Sequence, residues 1–160
     1  MSTPDDDVRE LFLLMPRLVG RAKSTPPPAE LAALDLAPRH LTLFALLVFD
    51  GPQTVSELAG RLGVAPTTVS LLVGDLSRKG VLERRPDERD RRRRIVDIVP
   101  ASRPAIEEWL SPSARAWRAA LDPLDPRQRR LVVETLKRFE SQLAGPLDRV
   151  DDEDRFIPSG

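Results

Sequence analysis

Residues 54–99 constrain the fold more tightly than any other stretch of the chain. Thr54 to Glu57 reads T-x-x-E, a capping box in which the Thr hydroxyl takes one free backbone N–H and the Glu carboxylate reaches back to another. Val55, Leu58, Ala59 and Leu62 follow as the inner face of the helix it opens. Gly63 can end that helix, because a left-handed backbone costs glycine little. Pro66 suits the first turn of a second helix, with Val69, Leu72, Val73 and Leu76 inward and Gly80 closing it. Ala65 stands at the N-cap, where Ser or Thr would be worth about 1 kcal/mol more. Residues 81–85 and 94–99 then alternate enough to pair as a hairpin, and the intervening PDERDRRR at 86–93 is too polar to bury. A helix pair alone says little. A helix pair followed by a strand, an Arg-rich turn and a second strand has the order of a DNA-binding module.

Charge sharpens this. The formal net charge is +0, so the chain as a whole does not advertise a nucleic-acid partner. From Arg78 to Arg94, however, nine bases face four acids, and the remainder of the chain carries the compensating negative excess. A basic patch on an otherwise acidic molecule docks to phosphate with one side only. The absence of cysteine removes thiol redox sensing, thiolate metal sites and disulfides. One histidine and no cysteine give no basis for a metal-sensing site, and no cofactor is expected. No apolar run approaches the roughly 20 residues of a membrane span, and MSTPDDDVRE lacks the basic-then-apolar order of a secretory signal, so a soluble cytoplasmic protein is expected.

The flanks read as helices. Val8, Leu11, Phe12, Met15, Leu18 and Val19 form one apolar stripe, with Asp5 to Asp7 in the first turn and Pro16 expected to kink or split the helix. STPPPAE at 24–30 forces a connector. A second helix is expected from near Pro38 through LTLFALLVF to Asp50-Gly51-Pro52, apolar nearly all round and hence buried. Ser102 and Pro104 signal another helix containing Trp109, Leu110, Trp117 and Leu121, with Ser111-Pro112 as a kink or restart. Asp125-Pro126 caps a last helix carrying Val132, Leu136, Phe139 and Leu143. Gly145-Pro146 is expected to stop it, and the polar tail to be mobile.

In a helix-turn-helix the second helix enters the major groove, and its N-terminal side chains reach base edges. Those are Pro66, Thr67, Thr68, Ser70 and Leu71, where hydroxyls can bond phosphate or bases and Leu71 and the Thr methyls can touch a thymine methyl. An Arg at a hairpin tip can enter a narrow minor groove, and a carboxylate two residues away can hold its guanidinium, which singles out Asp90-Arg91-Arg92, with Arg84 and Arg89 in the same basic hairpin.

The stretch ELAGRLGVAPTTVSLLVGDLSRKGVLERR, the Asp90-x-Arg92 wing and the strand ending in Ile98-Val99 resemble the MarR family of winged-helix transcriptional regulators. The resemblance implies a mainly α fold with a small β-hairpin wing: an N-terminal dimerisation helix and connector at 1–35, a winged helix-turn-helix at 36–100, C-terminal dimerisation helices at 101–147 and a polar tail at 148–160. It implies a homodimer reading a pseudo-palindromic operator in double-stranded DNA, with Arg92 in the minor groove and Asp90 orienting it. A repressor relieved by a small aromatic or anionic effector is expected, with His40 and Trp109 as candidate effector-binding residues. Two departures matter. Leu71 and Asp75 stand where many members carry bases, so phosphate anchoring must rest more on the wing. The family's frequent cysteine switch is also missing. The competing reading is a protein-interaction module whose Arg-rich hairpin binds an acidic partner. An enzyme is disfavoured, since the sequence offers no nucleophile–base arrangement, P-loop, dinucleotide fingerprint or metal-ligand cluster.

Overall fold

Capping chemistry written into the sequence sets most of the helix boundaries in the computed structural model, which describes residues 3–36 and 39–143. Helix α1 spans Pro4–Lys23, α2 Ala29–Ala32, α3 Arg39–Phe49, α4 Val55–Leu62 and α5 Pro66–Arg78. Strands β1, Leu82–Pro86, and β2, Arg94–Ile98, precede α6 at Arg103–Leu121 and α7 at Pro126–Leu143. The chain divides into two compact units, Met1–Ala114 and Arg115–Gly160. Expected features at Pro38, at Gly145-Pro146 and in the tail lie outside the described residues.

In the first unit, Thr54 caps α4 as its motif requires. Its hydroxyl accepts from the Glu57 N–H at 3.2 Å, and the Glu57 carboxylate accepts from the Thr54 N–H at 2.8 Å. Gly63 ends the helix at φ 67, in the left-handed region. Ala65 caps α5 without any side-chain bond, as read from the sequence. Leu43, Phe44 and Leu47 of α3, Leu58 and Ala59 of α4, and Val69, Val73 and Leu76 of α5 build the core, which Val96, Ile98 and Ile106 complete. Helix α3 is buried on one face only, through His40, Leu43, Phe44 and Leu47; Leu41, Ala45, Leu46 and Val48 are half-buried, and Thr42 and Phe49 are exposed. At the other end of the helix-turn-helix, Val81 closes the turn after α5 through its N–H to the Leu76 carbonyl, 2.9 Å.

The hairpin is antiparallel, with Leu82 opposite Ile98 and Pro86 opposite Arg94. Gln53 adds an unforeseen bridge. Its backbone exchanges bonds with Val96 in both directions, at 3.2 and 2.7 Å, extending the ladder by one residue on the far side of β2.

Two expected breaks do not occur. Pro16 does not split α1, and Pro112 does not restart α6, since both helices run through their prolines. A proline deletes one backbone bond and crowds the preceding turn. Both prolines are solvent-exposed, so water can serve the carbonyls of Phe12 and Glu108 that lose their donors. Helix α1 instead begins with a capping box of Thr3 and Asp6, and no residue of α1 is buried.

In the second unit, α7 starts where Asp125-Pro126 places it. One Asp125 carboxylate oxygen accepts from the N–H groups of Arg127 and Gln128 at 2.7 and 2.9 Å. No residue of α7 is buried, and Leu131, Leu136, Phe139 and Leu143 remain exposed. No helix among the described residues is long and apolar enough to cross a membrane.

The cap of α4 has a measurable signature. Hydrogen bonds from Thr54, with Arg93 nearby, hold the Glu57 carboxyl below the ordinary glutamate value of 4.5. Its stabilising contribution is therefore complete above that value and is lost as pH falls through the lower, folded-state value. Thr54→Ala should cost about 1 kcal/mol at neutral pH and reduce the acid dependence of the urea midpoint. An unchanged midpoint would remove the cap from the account of this helix.

Candidate nucleic-acid interface

The surface in question is built by α5 and the hairpin. On α5 the buried residues Val69, Val73 and Leu76 define the inner line, which turns Pro66, Thr67, Thr68 and Leu71 to solvent. Ser70 is half-buried at the edge of that face. Arg84 of β1 donates to the Ser70 carbonyl at 3.2 Å, so the strand and the middle of the helix are joined by a direct bond. Among the described residues, this hydrogen bond ties a wing residue of the expected set to the recognition helix.

The turn between β1 and β2 is ordered from within. The Asp87 N–H donates to the Arg93 carbonyl and the Arg93 N–H to the Asp90 carbonyl, both at 2.9 Å. Asp87 and Asp90 each accept from the backbone two residues on, at Arg89 and Arg92, 2.9 and 3.0 Å. Asp90 therefore holds the backbone of Arg92, where the sequence had suggested its guanidinium. The short Asp side chain reaches the N–H at i+2 readily and closes the turn, while the long Arg side chain is left in solvent. Among the described residues, the side chains of Arg89, Arg91, Arg92 and Arg94 make no ion pair or hydrogen bond, and all four residues are exposed. Unpaired cations on a hairpin tip are placed to meet phosphate or a narrow groove.

Arginines nearer the stem have a different role, which no local pattern signals. Arg93 pairs with Glu57 of the α4 cap at 2.6 Å and lies 3.6 Å from Asp87. Arg85 and Arg103 share the half-buried Asp97, at 2.8 and 3.1 Å, tying β1 and the start of α6 to β2. The bond to Asp97 raises the Arg85 pKa above its ordinary value. A charge count along the hairpin cannot separate paired arginines from free ones, because the partners Glu57 and Asp97 come from other elements or the facing strand. These pairs flank a cleft of about 800 Å³ between α4 and the hairpin stem, lined by Gln53, Glu57, Arg61, Arg85, Asp87 and Arg93 among others. Arg61 is also matched there, by Asp50 at 2.8 Å. Arg61, Arg85 and Arg93 of the cleft are thus matched by carboxylates and brace the wing, whereas Arg89 on the same wall has no such partner among the described residues.

Both candidate effector residues are buried in the single chain. His40 is 1% exposed, with its ring 6.4 Å from that of Phe44. Trp109 is 5% exposed, has its ring 6.3 Å from that of Phe44, and donates from Nε1 to the Thr25 carbonyl at 3.0 Å. Neither lines the cleft beside the wing. Three adjacent rings within an apolar cluster account for both residues as core packing. Among the described residues, no group of histidine, aspartate and glutamate is arranged to hold a metal ion.

Comparison with known proteins agrees with this geometry. Residues 34–93 match a family model described as MarR family. The uncharacterized HTH-type transcriptional regulator YcgE of Bacillus subtilis (strain 168) is 34% identical over 80 residues, which are 50% of this chain and 52% of that protein. The chain thus matches about half the length of this relative. Among solved structures, a MarR-like transcriptional regulator from Thermotoga maritima is 25% identical, with a TM-score of 0.55 over 84% of this chain and 95% of that one. S. aureus MepR in its DNA-binding conformation shares the fold at 19% identity, with a TM-score of 0.62 over 85% and 98% of the two chains.

Proposed function

We propose, from the match of residues 34–93 to a MarR-family model, that the chain is a homodimeric, sequence-specific DNA-binding transcriptional regulator. The observation that carries the reading is the joined surface of α5 and the hairpin, a helix face uncharged over residues 66–74 beside unpaired wing arginines. Pro66, Thr67, Thr68, Ser70 and Leu71 enter the major groove, while Arg84, Arg89, Arg91 and Arg92 supply the electrostatic grip and Asp90 fixes the turn. Members of this family are regulators and not enzymes, and no residue is assigned a catalytic role.

Dimerisation is supported by the ends of the chain. Val8, Leu11, Phe12, Leu18 and Val19 on α1 and Leu136, Phe139 and Leu143 on α7 are apolar and exposed in the single chain. Stripes of this kind on both terminal helices are more than a soluble monomer keeps open. A dimer that covers them presents two α5 helices to a pseudo-palindromic operator, which matches the symmetry of the protein. Occupation of the operator blocks polymerase, and a small effector that spreads the two helices relieves the block. The burial of His40 and Trp109 moves the effector site away from those two residues in the single chain.

The test is selection of bound sequences from random DNA, followed by affinity measurement across a salt series. Enriched two-fold sites are expected, with binding that weakens steeply as salt rises. Absence of binding at low salt would sink the proposal, and sedimentation as a folded monomer at micromolar concentration would remove the dimer from it. A winged module that instead binds an acidic protein would give no enriched DNA sequence.

A further inference from the structure

Building on the DNA-binding reading, we infer that Leu71 is the specificity-determining residue of each half-site and that it selects thymine through the base's 5-methyl group. The outermost line of α5 is Thr67, Leu71, Gly74 and Arg78, recurring at i, i+4, i+7 and i+11 opposite the buried Val69, Val73 and Leu76. Within that line Leu71 is 75% exposed, the only large apolar side chain that α5 turns fully to solvent.

The other side chains of the face cannot supply an unambiguous base choice. Bidentate pairing with guanine needs Arg or Lys, and with adenine Asn or Gln. Residues 66–77 contain none of these. A carboxylate could accept from the cytosine amino group, but Asp75 is already engaged by Lys79 at 3.0 Å and by Arg78 at 3.5 Å. The bond from Lys79 is the leading reason the Asp75 carboxyl is held below its ordinary value, so it stays an ion-paired anion. Arg78 belongs to the last turn, away from the groove-entering N-terminal end. Its Nη1 lies 3.6 Å from where a Cβ on Gly74 would stand, so it reaches back over the glycine along the helix. Thr67, Thr68 and Ser70 carry hydroxyls that serve any base or a phosphate, and the Thr methyls that could meet a thymine each sit beside such a hydroxyl and offer far less apolar surface than Leu71.

Leu71 is different in kind. It has no polar atom, and its neighbours on the helix face are Thr67, Thr68, Ser70 and Asp75, all polar. In a major groove the one apolar feature that differs among bases is the thymine methyl. Burying the leucine against that methyl removes apolar surface of both partners from water, whereas cytosine offers no methyl and the purines present polar edges. The half-site is therefore expected to carry a required thymine at the position under Leu71, without the guanine contact that a basic residue there would impose.

The experiment uses the full chain and the site obtained by selection. Deoxyuridine, which lacks only the methyl, replaces thymines one at a time in both half-sites, and affinity is read by fluorescence anisotropy at fixed salt. At one thymine of each half-site the change should weaken binding about fourfold, or about fifteenfold with both replaced, as expected for one buried methyl each. Leu71→Ala should bind the thymine and deoxyuridine sites equally while keeping the wild-type unfolding midpoint, because the side chain is exposed. Indifference of the wild type to every deoxyuridine, or sensitivity that survives Leu71→Ala, overturns the inference and leaves DNA binding standing. Failure of the wild type to select any sequence overturns the DNA-binding reading and this inference with it.

Discussion

Replacing Arg91 and Arg92 together with Ala is expected to weaken operator binding about a thousandfold near 0.15 M salt. The magnitude follows from counterion release. A proposed dimer carries two wings and so loses four cations, and each cation that neutralises DNA adds about 0.9 to the slope of log affinity against log salt concentration. The slope should become shallower by about 3 to 4, and the two proteins should converge as salt approaches 1 M. Both guanidinium groups are exposed and unpaired among the described residues, so the fold should not notice their loss. The turn itself is held by Asp87 and Asp90 through backbone bonds that survive the substitution. Arg93→Ala is the informative contrast. Arg93 pairs with Glu57 at the stem, both about half exposed, and an exposed pair of this kind is worth at most about 1 kcal/mol. Its removal should lower stability slightly and leave the salt slope near that of the wild type. If the double variant kept the wild-type slope, the grip would have to lie elsewhere, and the α5 face has little charge to offer.

That contrast also marks where sequence reading succeeds and stops. Local chemistry was legible. Thr54 with Glu57, Gly63, Pro66 and Asp125 act within a turn of their own position, so the residues that cap or break each helix stand next to one another in the chain. The hairpin was legible for the same reason, because strand, polar turn and strand are contiguous. Partners far apart in sequence were not. Arg93 and Glu57 are 36 positions apart, and Gln53 joins Val96 without any periodic pattern, since a single-residue bridge has none. The prolines misled because the breaker rule is local and weighs one lost bond, whereas Pro16 and Pro112 sit inside long helices whose other bonds remain. In the candidate interface the identity of the residues was readable and the roles were not. Asp90 and Arg92 do interact, but through the Arg92 backbone, and the consequence is a turn that is rigid beneath a guanidinium that is free.

Phe44→Ala should be the most damaging single substitution in the first unit, costing about 3–5 kcal/mol. Phe44 is 0% exposed and its ring packs near those of both His40 and Trp109, with centroids 6.4 and 6.3 Å away. Truncation removes a large apolar surface and opens a cavity that both rings would have to collapse into. Neither can do so freely: Trp109 is tied to the Thr25 carbonyl, and His40 is buried on the turn of α3 that precedes Phe44. Since domains of this size have total stabilities of about 5–15 kcal/mol, the loss is a large share of the whole. It should lower the urea midpoint by about 2 M at fixed protein concentration. DNA binding should fall only as the folded fraction falls, because Phe44 touches neither α5's outer face nor the wing. Phe49→Ala on the same helix is the control. That ring is 63% exposed, so the same chemical deletion should change stability by no more than about 0.5 kcal/mol. Phe44→Leu, which keeps most of the volume, should cost less than about 1.5 kcal/mol. Equal effects of the two alanine variants would mean that the cluster of Phe44, His40 and Trp109 does not anchor the core, and the assignment of His40 and Trp109 to packing would fall with it.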